Sequence, residues 1–161
     1  MTTERFRGAT QAEIDDLLSG DRARVKRAFD RVPRAELSWA LSTEAGEAAL
    51  AHAFELMPGY YTAGRFDSPV LVRYRVERDS ASAVERDVTF GPTDCVVLAV
   101  DSNRTPDLAV TMDALSFVEA ATGTTRGMEL LMRGDLKVQG NVQIAIRMEA
   151  YFGLAPAGAN R

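Results

Sequence analysis

The side chains that could do chemistry in this sequence are few, and they do not gather. His52 is the only histidine and Cys95 the only cysteine among 161 residues. His52 has Glu55 one turn away on a stretch that reads as helix, and such a pair could act as a base near neutral pH. No ordered acid or nucleophile accompanies it, so a partly exposed structural histidine is the simpler reading. Glu119 and Glu129 stand on two successive helical stretches, while Tyr60 and Tyr61 sit in an aromatic loop. These groups would supply an acid or a base only if the fold brings them to one cavity. Taken plainly, the two glutamates are solvent-facing helix carboxylates. One histidine and one cysteine do not furnish a metal centre. No Gly-rich phosphate loop, nucleophile elbow, HExxH or CxxC pattern occurs. No catalytic residue, metal ligand or cofactor is therefore expected.

What the sequence does concentrate is apolar surface near its carboxy terminus. Met128, Leu131 and Met132 recur at the spacing of one helical face. Flexible thioethers suit a pocket for ligands of varied shape, and equally suit ordinary core filling. Gly134 stands where a helix commonly stops in the left-handed conformation. Leu136 and Val138 then alternate with Lys137 and Gln139 as a short strand. Asn141 is placed to cap a closing helix through its side-chain oxygen. On that helix only Gln143 and Arg147 form a clear polar stripe. Ile144, Ala145, Met148, Tyr151 and Phe152 make one apolar arc; Val142, Ile146 and Ala150 make a second, with Glu149 between. A helix packed on one neighbouring layer needs one such arc. The surplus must meet more protein, a partner subunit or an apolar ligand.

The elements that position these residues can be read upstream. Thr43 opens a helix to about Met57, ended by Pro58-Gly59, with Leu50, Phe54 and Met57 on one side. Val70, Val72, Tyr74 and Val76 alternate with polar residues as a first strand. Val88 and Phe90 begin a second, Cys95 to Val100 forms a third, Leu108 to Met112 a fourth and Leu136 to Gln139 a fifth. Four strands, then helix, helix, strand and helix, describe an α+β domain with a mainly antiparallel sheet covered on one face by helices.

Gly134-Asp-Leu-Lys-Val-Gln-Gly-Asn-Val-Gln-Ile-Ala-Ile-Arg-Met148 resembles the carboxy-terminal signature of the sterol carrier protein type 2 (non-specific lipid transfer) family. Leu136, Lys137, Val138, Gly140, Asn141, Ile144, Ala145, Arg147 and Met148 carry the likeness in kind and spacing. Asp107 to Asp113, followed by Leu115 to Gly123, is similar to the strand and helix before that signature. Ala53 to Pro58 resembles the start of the stand-alone bacterial versions. The likeness spans about Leu50 to Phe152. Asp135 departs from the usual Lys or Arg, and Thr124 to Gly127 replaces an Asn-Pro turn beside any ligand entrance. The resemblance implies an apolar tunnel between sheet and helices. Its candidate lining is Val97, Leu115, Val118, Met128, Leu131, Met132, Ile144, Met148, Tyr151 and Phe152. It implies a carrier or presenter of a fatty acyl, sterol-like or polyketide-like molecule. An enzyme that cyclises or isomerises a hydrophobic substrate in the same tunnel, or a dimerisation module, is the alternative.

Composition narrows the partners. Net charge is −4, with 17 Arg and two Lys, Lys26 and Lys137. An acidic balance offers no clustered field for nucleic acid. A lone cysteine excludes an internal disulfide. No apolar run approaches a membrane span and no signal-peptide core is evident, so a cytoplasmic protein is the default. Residues 1–42 read as a helical extension before a domain over 43–161. A capping box, Thr10 to Glu13, precedes Ile14, Leu17 and Leu18. Asp21 caps a helix with Val25, Ala28, Phe29 and Val32 on one face and Arg22, Arg24, Lys26, Arg27 and Arg31 on the other. Those cations could touch an anionic membrane transiently. A solvated face balanced by Asp15, Asp16, Asp21 and Asp30 is the plainer account. Pro33 starts a further helix through Leu41. Helices this short must pack on the body or across a homodimer.

Overall fold

In the computed structural model, which describes residues 11–18, 21–61, 64, 66–79, 81–121, 125 and 127–145, the alternating stretches form a five-stranded sheet. Its strands are β1 (Val70–Glu77), β2 (Val84–Phe90), β3 (Cys95–Leu98), β4 (Leu108–Asp113) and β5 (Leu136–Gly140), in the order β3-β2-β1-β4-β5. β1 and β4 run parallel, and the other neighbours are antiparallel. Register places Val72 beside both Val88 and Leu108, and Val88 beside Val97, so one face of the sheet is mainly apolar. Arg86, beside Tyr74, also lies on it, its guanidinium 6.0 Å from the centre of the Phe54 ring. The opposite face sets Arg73 against Asp87 and Arg75 against Glu85. These cross-strand charges explain why β2 begins at Val84 and not at Val88. Arg86 interrupts the apolar alternation on the inner face, while Glu85 and Asp87 each meet an arginine of β1 across the outer face. β3 stops at Leu98, short of Val100.

Four helices precede the sheet among the described residues: α1 (Gln11–Leu18), α2 (Arg22–Arg31), α3 (Arg34–Leu41) and α4 (Glu44–Tyr60). Two expected caps form. Asp21 Oδ2 accepts from the Arg24 N–H at 3.0 Å, and Thr43 Oγ1 accepts from the Gly46 N–H at 3.0 Å. Thr10, the head of the proposed capping box, lies outside the described residues. α4 continues through Pro58 to Tyr60 instead of ending at Pro58. A proline this near a helix end forfeits only one intrahelical bond. The basic face of α2 is solvated, and Asp16 receives Arg24 at 2.8 Å and Arg27 at 3.7 Å.

The helices leading the chain do not stand apart. Val25, Ala28, Leu37, Leu41, Leu50 and Phe54 share one hydrophobic cluster with Val72, Tyr74, Val76, Val88 and Leu108 of the sheet. Each fully buried leucine contributes about 1.5–3 kcal/mol. At the centre, Phe54 stacks on Phe117 with 4.8 Å between ring centroids and meets the Tyr74 ring edge-on at 5.5 Å. Where α3 hands over to α4, Gly46 lies so close to the preceding helix that an added Cβ would collide with the Ala40 oxygen and with Leu41 backbone atoms. Backbone cannot rotate aside as a side chain can. Gly46→Ala is therefore expected to cost about 2 kcal/mol, read as a lower urea midpoint at unchanged slope.

Candidate functional site

The carboxy-terminal half of the sheet is held by three local devices, each visible as a residue type. Asp113 Oδ1 accepts from the Ser116 N–H at 2.7 Å and so caps α5 (Ala114–Ala121). α6 (Gly127–Arg133) stops at Gly134, whose φ is 83°. The Gly134 N–H bonds the Leu131 oxygen at 3.1 Å and the Asp135 N–H reaches back to the Leu130 oxygen at 2.9 Å. This is the paired closure expected of a left-handed glycine after a helix. After β5, Asn141 Oδ1 accepts from the Gln143 N–H at 3.1 Å, and a helical turn starts over 142–145. Ile144 enters the core, Ala145 packs against it, and Val142 on the other arc is 43% exposed.

The candidate lining residues divide into three groups. Leu115 and Ile144 are buried in the main core, with Val97 and Val118 half-buried against it. Val97 belongs to the edge strand β3, at the opposite end of the sheet from β5. Four strand spacings, roughly 19 Å, separate those edges. On α6, Leu131 is half-buried, while Met128 and Met132 are 40% and 81% exposed. These two methionines, with Glu129 and Arg133, line an open cleft of about 480 Å³. Met148, Tyr151 and Phe152, together with most of the stretch expected to form the closing helix, lie outside the described residues.

Two features escaped the sequence reading. Leu130, not the flanking methionines, is the fully buried residue of α6. Glu119 is not solvent-facing: it is only 6% exposed. Its carboxylate takes Arg34 Nη1 of α3 at 3.3 Å and the Thr125 hydroxyl at 3.2 Å, and Arg133 Nη2 of α6 stands at 4.0 Å. A signal for this existed. α5 reads Ala-Leu-Ser-Phe-Val-Glu-Ala-Ala and has no polar stripe, so its one carboxylate had to be paired inside. Arg133 also binds Asp135 at 2.7 Å and lies 3.9 Å from Glu129. The Asp135 bond, more than any other contact, raises the pKa of the Arg133 guanidinium.

The remaining reactive groups are dispersed. His52 sits on the exposed side of α4, with Nδ1 at 3.6 Å from the Glu55 carboxylate. Burial pushes the Cys95 thiol up to about 12, which keeps it protonated and inert at neutral pH. The Tyr74 hydroxyl is likewise raised by burial. The Tyr61 hydroxyl donates to the Gly91 oxygen at 2.6 Å. No group of three His, Cys, Asp or Glu side chains is poised to hold a metal among the described residues. No helix among them is long and apolar enough to cross a membrane.

Residues 73–153, half of the chain, match the model of the SCP-2 sterol transfer family. The chain belongs to this family. Membership places it among proteins that bind or transfer sterols or other lipids, and the five-stranded α+β sheet is the architecture expected from the resemblance. Among solved structures, sterol carrier protein 2 from Yarrowia lipolytica in its apo form is 16% identical, with a TM-score of 0.44 over 73% of this chain and 84% of that one. Sterol carrier protein-2 like-3 from Aedes aegypti is 20% identical, with a TM-score of 0.45 over 65% of this chain and 92% of that one. The inverting sec-alkylsulfatase Pisa1 from Pseudomonas sp. is 14% identical, with a TM-score of 0.43 over 78% of this chain and 18% of that one. No curated protein matches the chain. Within this SCP-2 chain, the signature Gly140-Asn141 has a physical role. Gly140 has φ 113° and passes the Asp107 oxygen so closely that a Cβ would stand 2.5 Å from it. The Asn141 N–H then bonds that same oxygen at 2.9 Å.

Proposed function

We propose that this SCP-2 chain carries or presents an apolar small molecule, a fatty acyl, sterol-like or polyketide-like compound, without transforming it. The ligand would lie in an apolar tunnel between the inner sheet face, α5, α6 and the helix that begins at residue 142. The unit meant is 43–161, with 1–42 as its addition. The observation that carries this reading is the exposed methionine pair. Met128 and Met132 turn to an open cleft while Leu130 supplies the one fully buried side chain of α6, an arrangement that leaves flexible apolar side chains outside the core. Each buried methylene contributes about 0.8 kcal/mol, so a ~16-carbon chain offers roughly 12 kcal/mol before costs. Association and ordering remove several to more than ten of these, which leaves affinity near the micromolar range and loose selectivity.

The test is displacement of a fluorescent fatty acid. Leu131→Arg puts a cation beside the cleft, and Met148→Asp puts a carboxylate on the closing segment. Either is expected to abolish displacement while the chain stays folded by circular dichroism. Unchanged binding in both variants would defeat the reading. A second copy of the chain is the other partner proposed. Val96 and Leu98 remain exposed on the outer face of the edge strand β3, and light scattering of ligand-free protein checks for the dimer they would support.

A further inference from the structure

Glu119 joins parts of the chain that the family match separates. It lies on α5 within residues 73–153, whereas its nearest cation, Arg34, lies on α3 well before them. Thr125, in the loop where the sequence departs from the family's Asn-Pro turn, is tied to Glu119 twice. Its N–H bonds the Glu119 backbone oxygen at 3.3 Å and its hydroxyl bonds the carboxylate at 3.2 Å. Arg133 brings in the last turn of α6, the helix whose Met128 and Met132 line the cleft. A buried carboxylate holds its partners more firmly than a surface one, because water competes poorly for it.

α6 depends on ties beyond its own backbone. Its seven residues are too short to be stable alone. Leu130 supplies its one fully buried side chain. Its amino end follows the Thr125 loop, and its carboxy end is fastened by the Gly134 turn and the Arg133–Asp135 pair. Moving Glu119 away would loosen both ends together.

We infer that Glu119 is a positioning residue through which the amino-terminal helices govern how long a ligand stays in the cleft. Arg34 holds Glu119, Glu119 holds Thr125 and Arg133, and these place α6 against its ligand. Release is then slowest when α3 is docked. This rests on the carrier reading for its ligand, though not for the mechanical link itself.

The experiment compares the full chain with Arg34→Ala, Arg34→Lys and Glu119→Gln. Release of an NBD-labelled fatty acid is followed by stopped flow. Amide exchange is followed at Thr125, Gly134 and Asp135. Arg34→Ala is expected to speed release about fivefold, the low end of ordinary coupling between sites, and to speed exchange at all three amides. Arg34→Lys should recover much of both, and Glu119→Gln should exceed Arg34→Ala. A fall in thermal midpoint with release and exchange unchanged would make the cluster merely structural and overturn the inference. Faster exchange with unchanged release would overturn the coupling to ligand. If the native chain takes up no probe, the carrier reading fails, and the exchange arm alone decides whether Arg34 controls α6.

Discussion

Replacing Asp87 with alanine should lower stability by about 3–5 kcal/mol, the largest loss expected of a single charged side chain in this fold. Asp87 is on the outer sheet face yet only 1% exposed. It takes Arg73 Nε at 2.7 Å and Nη2 at 3.0 Å, a bidentate pair, and also accepts from the Asp101 N–H at 3.0 Å. Arg73 in turn donates to the Asp101 oxygen at 2.7 Å and the Arg104 oxygen at 3.0 Å. One carboxylate thus secures β1 to β2 and pins the turn leading to β4. Removing it takes the carboxylate from a half-buried guanidinium and the acceptor from a backbone donor at once. Arg73→Met combined with Asp87→Leu should restore most of the loss, because no charge is then left alone. Urea unfolding at neutral pH of the two single variants and the double checks this.

The same pair sets an acid limit. Arg73's hydrogen bond, more than any other contact, holds the Asp87 carboxyl below the ordinary carboxylate range. The stabilisation is therefore present above the unfolded-state value, about 4, and is lost as pH falls through the lower folded value. Stability of the native chain should decline below about pH 4, and Asp87→Asn should flatten that decline. An acid limb of equal steepness in both proteins would assign the effect to other carboxylates.

Gly140→Ala is the second large effect. Its φ of 113° is strained for any side chain, and its Cβ would press on the Asp107 oxygen at 2.5 Å and the Leu108 Cα at 3.2 Å. Strain and overlap together should cost about 3 kcal/mol. Gly134→Ala is the control. There φ is also positive, but nothing lies within 4 Å of the added carbon, so only the left-handed penalty of about 1–2 kcal/mol applies. Gly140→Ala should also weaken fatty-acid binding beyond its effect on stability, because the Asn141 N–H hangs on that same Asp107 oxygen and starts the closing helix. Equal thermal losses in the two variants would show that close approach plays no part.

These particulars show what the sequence made legible. Alternation placed β1, β4 and β5, an unbroken apolar run placed β3 two residues too long, and β2 was read only from Val88. Residue type placed the Asp21, Thr43 and Asn141 caps and the Gly134 stop, because each of these depends on contacts a few residues apart. Non-local partners stayed hidden. Nothing near Val84 reveals that Arg73 and Arg75 neutralise β2's acids. The parallel pairing of β1 with β4 is likewise a property of chain return, not of either strand. On α6, periodicity alone could not choose between Leu130 and its methionine neighbours, since a seven-residue helix barely completes two turns. Glu119 was misread because its cations come from other helices.

The shared core has a consequence for how the protein is born. Val25, Leu37 and Leu41 leave the ribosome before a single strand exists to cover them. At the usual ~5–20 residues per second, several seconds pass before β1 and β2 arrive. In that interval the nascent chain presents a greasy leading half, just the surface that chaperones grip and that neighbouring nascent chains stick to. Slowing translation between α4 and β2 would lengthen this hazard, and hastening it would shorten it.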